Sequence, residues 1–123
     1  MILVDTSVWI DHLRQGDPDL VRALEAGRVL GHPFVVGELA CGNLKSRTEF
    51  LGLLRALPQA PVATEEEVLA FIDGRALMGR GIGYLDVHLL ASVALASRAT
   101  LWTRDKPLAA VAQELGLAHR GSG

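Results

Sequence analysis

Short, unbroken apolar runs alternate along this chain with longer stretches whose apolar residues recur at helical spacing. Met1 to Val4 is apolar throughout and predicts a buried strand. Val8, Trp9 and Leu13 then mark a helix from about Thr6 to Leu13. Gly16-Asp17-Pro18 breaks the pattern, and Asp17-Pro18 suits an N-cap followed by proline at the first helical position. That helix should reach about Ala26, where Gly27 stops it. Arg28 to Leu30 reads as a second strand. Pro33 opens a helix through about Leu44, and another is expected from Ser46 to Leu57, ended by Pro58. Pro61-Val62-Ala63 reads as a weak third strand. Thr64, with Glu67 three residues later, is a capping-box pattern that opens a helix to about Met78. Gly79, Gly81 and Gly83 form a flexible link. A long apolar helix follows from about Leu85 to Ser97, then a strand at Thr100 to Trp102, a helix from Lys106 to Leu115, and a last strand at Leu117 to His119. Residues 120–123 are expected to fray. Short apolar strands alternating with helices predict an α/β fold, a parallel sheet covered on both faces, in a single domain over 1–123.

Composition narrows the function classes. The chain has 123 residues, half of them hydrophobic, enough for a real core and too apolar for disorder. No apolar run approaches the roughly 18 residues of a membrane span. Asp5 interrupts the first apolar stretch and no basic region precedes it, so a signal peptide is not expected. The single cysteine, Cys41, excludes an internal disulfide, fits a reducing cytoplasm, and is read as buried in its apolar helix. The net charge of −2 argues against a basic nucleic-acid-coating protein. It leaves a nuclease open, because metal ions offset acidic sites and local arginines hold phosphates. Lys45 and Lys106 are the only lysines, and arginine suits bidentate phosphate contacts, although genomic codon bias accounts for the excess equally well.

The candidate chemistry lies in four carboxylates. Asp5 and Asp105 directly follow predicted strands, where open α/β sheets gather their ligands. Asp86 begins a helix with an almost wholly apolar body. Glu38 has Phe34, Val35, Cys41 and Gly42 at helical spacing and is read on their apolar face. Alone, each has an ordinary structural explanation as a cap, a turn residue or an ion-pair member. Together they lack regular basic partners in their segments. Unpaired buried carboxylates cost several kcal/mol or shift their pKa, and a hard divalent cation such as Mg²⁺ would relieve them.

The text around these acids resembles a family. Met1-Ile2-Leu3-Val4-Asp5-Thr6-Ser7-Val8-Trp9-Ile10, Gly37-Glu38-Leu39-Ala40-Cys41-Gly42, Asp86-Val87-His88-Leu89-Leu90-Ala91-Ser92 and Leu101-Trp102-Thr103-Arg104-Asp105-Lys106-Pro107-Leu108 resemble, in order, the four signature blocks of PIN-domain nucleases. The resemblance is to the VapC-type ribonuclease toxins of bacterial toxin–antitoxin pairs, and it runs from Met1 to about Leu117. It implies a three-layer α/β/α sandwich with a five-stranded parallel sheet. It also implies Mg²⁺-dependent endonucleolytic cleavage of RNA, with Mn²⁺ able to substitute, in the cytoplasm. By position, Asp5, Glu38, Asp86 and Asp105 match the family's acidic quartet as catalytic and metal-binding residues. Thr6 and Thr103 match the supporting hydroxyls. The implied partners are RNA, a VapB-type antitoxin of a type II pair, and a second copy in a homodimer, with no membrane. Lys106-Pro107 departs from members that carry another acid or polar residue there, which puts a second metal position in doubt.

Other motifs carry less. Gly79-Arg80-Gly81-Ile82-Gly83 lacks the strand and glycine spacing of a dinucleotide loop and reads as a hinge. His12, His32, His88 and His119 have no metal-ligand spacing. Trp9 and Trp102 read as core or dimer contacts, and Ser7 as a helix-start residue. A haloacid-dehalogenase-type phosphatase would need a second acid where Ser7 stands. A PIN-fold nuclease acting on DNA or another structured substrate, and a non-catalytic PIN-fold interaction module, are the alternatives.

Overall fold

The computed structural model describes residues 1–120. Three strands form one parallel sheet: β1 (Ile2–Val4), β2 (Val29–Leu30) and β3 (Thr100–Trp102), in the order β2-β1-β3. The first strand along the chain is therefore the central one. All of β1 is buried, which explains why it reads as a continuous apolar run rather than an alternating one. Among the described residues seven helices accompany the sheet: α1 (Thr6–Gln15), α2 (Pro18–Glu25), α3 (Pro33–Ala40), α4 (Arg47–Ala56), α5 (Glu65–Arg75), α6 (Tyr84–Leu95) and α7 (Lys106–Glu114). Helix α3 packs on α1 and α4, while α5 packs on α6 and α6 on β3.

The sheet has three strands where five were expected. At each expected outer position there is a single parallel bridge, Gly31 with Gln59 and Leu101 with Ala118. Each bridge is closed by two backbone hydrogen bonds. Gly31 N–H donates to Pro58 O and Ala60 N–H to Gly31 O; Leu101 N–H donates to Leu117 O and His119 N–H to Leu101 O. The expected strand at Pro61–Ala63 does not form. Pro58 and Pro61 each lack an N–H, so a ladder cannot extend through this segment. Gly31 is a site of close approach: a Cβ there would lie 2.5 Å from Gln59 Nε2 and 3.0 Å from the Leu54 carbonyl oxygen.

Local signals place the helix starts. Asp17 caps α2, accepting from Asp19 and Leu20 N–H with Pro18 at the first position. Thr64 and Glu67 make the full capping box of α5. Trp9 is buried and meets Phe50 edge-on at 5.8 Å, tying α1 to α4 as a core residue. Trp102 is half-buried and packs on His119. Helix α3 ends at Ala40, four residues short of the expected Leu44. Cys41 is therefore outside the helix and exposed, which corrects its reading as buried. Among the described residues no helix is long and apolar enough to cross a membrane. The expected fraying of the tail falls largely on 121–123, outside the described residues.

Candidate active site

The four acids reach the carboxyl end of the sheet from four different elements. Asp5 follows β1 and is the N-cap of α1, buried at 6% exposure. Its Oδ2 accepts from Ser7 N–H at 3.3 Å, Ser7 Oγ at 2.7 Å and Thr103 Oγ1 at 2.8 Å. Asp105 follows β3 as the N-cap of α7; its Oδ2 accepts from Leu108 N–H at 3.0 Å, and its own N–H donates to Thr103 Oγ1 at 3.1 Å. The Thr103 hydroxyl thus joins the two strand-end acids. Asp86 lies in the first turn of α6, where its Oδ2 accepts from Gly83 N–H at 3.0 Å. Glu38 lies on α3 and its Oε1 accepts from Thr6 Oγ1 at 3.2 Å. Three of the acids therefore occupy helix N-termini, whose partial positive charge favours an anion.

In each of the four carboxylates these hydrogen bonds fall on one oxygen, which leaves the other free of protein donors among the described residues. No lysine or arginine among the described residues pairs with any of them. Arg104, next to Asp105 in sequence, points elsewhere and bonds Asp11 at 2.7 Å and also Asp17. For Asp17, desolvation alone would raise the carboxyl pKa, but the Arg104 and backbone hydrogen bonds hold it below its ordinary value. Partial desolvation raises the pKa of Glu38; the Thr6 hydrogen bond opposes this, and the charges of Asp5 and Asp86 add to the rise. Desolvation likewise raises Asp86, opposed by Gly83 N–H and reinforced by Asp5 and Asp105. The acids are thus close enough to repel one another. Yet among the described residues no three acidic, imidazole or thiol side chains converge closely enough to cage a metal ion. Coulomb repulsion reaches further than a metal–oxygen bond, so the two findings agree. An all-oxygen donor set is of the kind that hard divalent cations prefer.

A family model described as PIN domain matches residues 2–114. The chain belongs to the PIN domain family. It is 52% identical over 118 residues to Ribonuclease VapC32 of Mycobacterium tuberculosis, in both strain CDC 1551 / Oshkosh and strain H37Rv, covering 96% of this chain and 95% of the relative. This PIN domain is of VapC type. A 72-residue stretch is also 32% identical to Hydroxyethylthiazole kinase of Yersinia enterocolitica, but it spans only 28% of that protein and carries no argument.

Within this PIN domain, two sequence expectations change. Glu38 is exposed rather than set on a buried face, because Cys41 and Gly42, two of the neighbours that suggested burial, lie beyond the end of α3. Ser7 does more than start a helix: its hydroxyl donates to Asp5 and accepts from Arg104 N–H at 2.9 Å, fastening the β3–α7 loop to the first acid. Its position two residues after Asp5 was the available signal. The glycine link also acquires a definite part, since Gly83 caps α6 and orients Asp86. Arg80 is exposed and pairs with Glu114 at 2.8 Å. His88 is a core residue between the rings of Phe34 and Tyr84, with its Nδ1 buried and unpartnered among the described residues. Beside Glu38 opens a groove of about 340 Å³, lined by Ile10, Leu13 and Leu39 with Arg14 and Lys45.

Proposed function

We propose that this chain is a Mg²⁺-dependent endoribonuclease, the toxin of a type II toxin–antitoxin pair, acting in the cytoplasm. The observation that carries the reading is the set of four carboxylates, each pinned through one oxygen and free at the other, with no basic partner among the described residues. Its likeness to Ribonuclease VapC32 supports RNA as the substrate. The reading also takes a VapB-type antitoxin and a second copy of the chain as partners, and the sandwich architecture of the family as its frame.

In this reading Asp5 and Asp86 would hold the cation, directly or through water, and Glu38 and Asp105 would complete its surroundings. A bound divalent ion supplies a Lewis acid that makes water more acidic and offsets charge on the phosphate. Mn²⁺ has the same oxygen preference and is expected to substitute. The remaining work belongs to the chain. Ser7 and Thr103 hold the Asp5 carboxylate in one orientation. Thr6 holds Glu38. Glu38, its pKa raised by partial desolvation, would complete the cation's surroundings or orient the attacking water. The groove beside Glu38 supports a partner that covers the acids, because its apolar floor adjoins a catalytic residue.

The test is cleavage of defined RNAs and DNAs by purified protein in Mg²⁺, in EDTA, and with Asp5→Asn. RNA cleavage that needs Mg²⁺ and disappears in a folded Asp5→Asn supports the reading. Activity that survives EDTA, or full activity in Asp5→Asn, overturns it. Cleavage of DNA alone would transfer the site to the other nucleic acid.

A further inference from the structure

Glu38 and Asp86 stand on separate helices, so the spacing between α3 and α6 sets the spacing between the acids. A single buried ring spans the two helices. His32 has no exposed surface and is the N-cap of α3. Its Nδ1 accepts from Phe34 N–H at 3.1 Å. A backbone N–H can only donate, so Nδ1 carries the lone pair and the ring proton sits on Nε2. Nε2 lies 2.9 Å from Ser92 Oγ on α6 and therefore donates to it. Ser92 is also fully buried. One imidazole thus caps the helix of Glu38 and bonds the helix of Asp86.

The geometry carries this contact to the acids. Glu38 lies six residues after His32, and Asp86 six residues before Ser92. Between them Phe34 meets His88 edge-on at 4.6 Å. Contacts that ascend one helix while descending the other mean that α3 and α6 run antiparallel here, with His32–Ser92 at one end and the acids at the other. A serine or aspartate would cap α3 equally well. Neither could reach α6 as well.

We propose that His32 is a positioning residue, which through its hydrogen bond to Ser92 fixes the separation of Glu38 and Asp86 and so the affinity of the acidic site for its cation and the rate of cleavage. This rests on the ribonuclease reading for its kinetic consequence, and on the acidic site alone for cation affinity. Small displacements of catalytic groups held by such supporting contacts cost rate more than substrate binding.

Four variants separate bridging from capping. His32→Asn keeps an acceptor near the Nδ1 position and loses the bridge. His32→Gln keeps a donor near the Nε2 position and weakens the cap. Ser92→Ala removes the bridge from the other side, and His32→Asn/Ser92→Ala completes the cycle. The measurements are Mn²⁺ affinity by calorimetry, kcat and KM on a defined RNA, and thermal unfolding. The expected result is a drop of roughly tenfold in both Mn²⁺ affinity and kcat for His32→Asn and Ser92→Ala, with KM little changed. The double variant should be no worse than either single, and His32→Gln should retain most of the activity. Folded His32→Asn and Ser92→Ala proteins with wild-type kcat and Mn²⁺ affinity would overturn the proposal, as would a loss of activity that follows the cap variant instead. A wild type that binds Mn²⁺ but cleaves no RNA would end the ribonuclease reading, and Mn²⁺ affinity would then decide the bridge alone. A wild type that binds no Mn²⁺ overturns both.

Discussion

Thr103 Oγ1 donates to the buried Asp5 carboxylate at 2.8 Å across 98 positions of chain, and accepts from Asp105 N–H at 3.1 Å. One hydroxyl therefore sets the orientation of an acid after β1 and the backbone of an acid after β3. Thr103→Val keeps the shape, loses the first bond and leaves the second donor without its acceptor. Stability should fall by about 1–2 kcal/mol, read from urea unfolding. Cleavage should fall roughly tenfold in kcat with RNA KM nearly unchanged, because positioning rather than binding is lost. Wild-type kcat in the folded variant would remove Thr103 from the site.

Asp86 gives a prediction with a definite sign. Desolvation first, then Asp5 and Asp105, raise its pKa in the folded protein. A raised carboxyl pKa lends stability below the unfolded value, and that stability is lost as pH rises through the folded value. Ionisation of Asp86 is therefore a cost to folding when no cation is bound. Asp86→Asn should raise the thermal midpoint in EDTA, since its side-chain oxygen still accepts from Gly83 N–H. The midpoint increase on adding Mg²⁺ to wild type should shrink in the variant. A lower midpoint for Asp86→Asn in EDTA would contradict this account.

His32 works in the opposite sense at lower pH. Burial, helped by the nearby His88, lowers its pKa from 6.5 to about 4. Well above pH 6.5 the ring is neutral in both states and stability does not depend on it. As pH falls from 6.5 toward 4, the unfolded chain takes a proton that the folded chain refuses. Folding then loses up to roughly 3 kcal/mol from this ring. Urea midpoints of wild type and His32→Asn at pH 7 and pH 4.5 isolate the effect from Glu38 and Asp86, which push the other way. The wild type should lose more stability between those pH values than the variant; equal losses would refute the shift.

A side chain at Gly31 is predicted to destabilise the fold. The added carbon in Gly31→Ala would meet the Leu54 carbonyl and displace the Gln59 amide, which donates to Leu54 O at 3.3 Å and Leu57 O at 2.9 Å at the end of α4. Overpacking of this kind costs about 1–3 kcal/mol. Chemical denaturation measures it, and an unchanged midpoint would mean that the α4 end yields freely.

The elements that could be read from the sequence are those with local causes. Thr100–Trp102 is found where expected because three strand-favouring residues stand between a helix end and a cap. The start of α5 follows from Thr64 and Glu67 alone. The outer sheet positions could not be read this way, because a one-residue bridge at Gln59 or Ala118 needs only a neighbour with free backbone groups, not a strand pattern. Three acids announced themselves by following strands or opening a helix. Glu38 stands out in the sequence for a reason that fails: its neighbours suggest a buried face in a helix that ends sooner than its sequence suggests. The hydrogen bonds of Ser7 and His32 are not legible in the sequence because their partners, Arg104 and Ser92, lie 97 and 60 positions away.

The two bridges at Gln59 and Ala118 also bear on how this molecule meets others. An extended row of free backbone groups at a sheet margin is a template on which a foreign strand can grow. Here each margin ends in a contact one residue wide, beside proline on one side and next to the chain's last described residues on the other. Such a margin gives an incoming strand almost nothing to zip onto. Among the described residues the sheet margins thus offer a partner little backbone to pair with, and the helix surfaces offer side chains whose recognition is set by shape and charge.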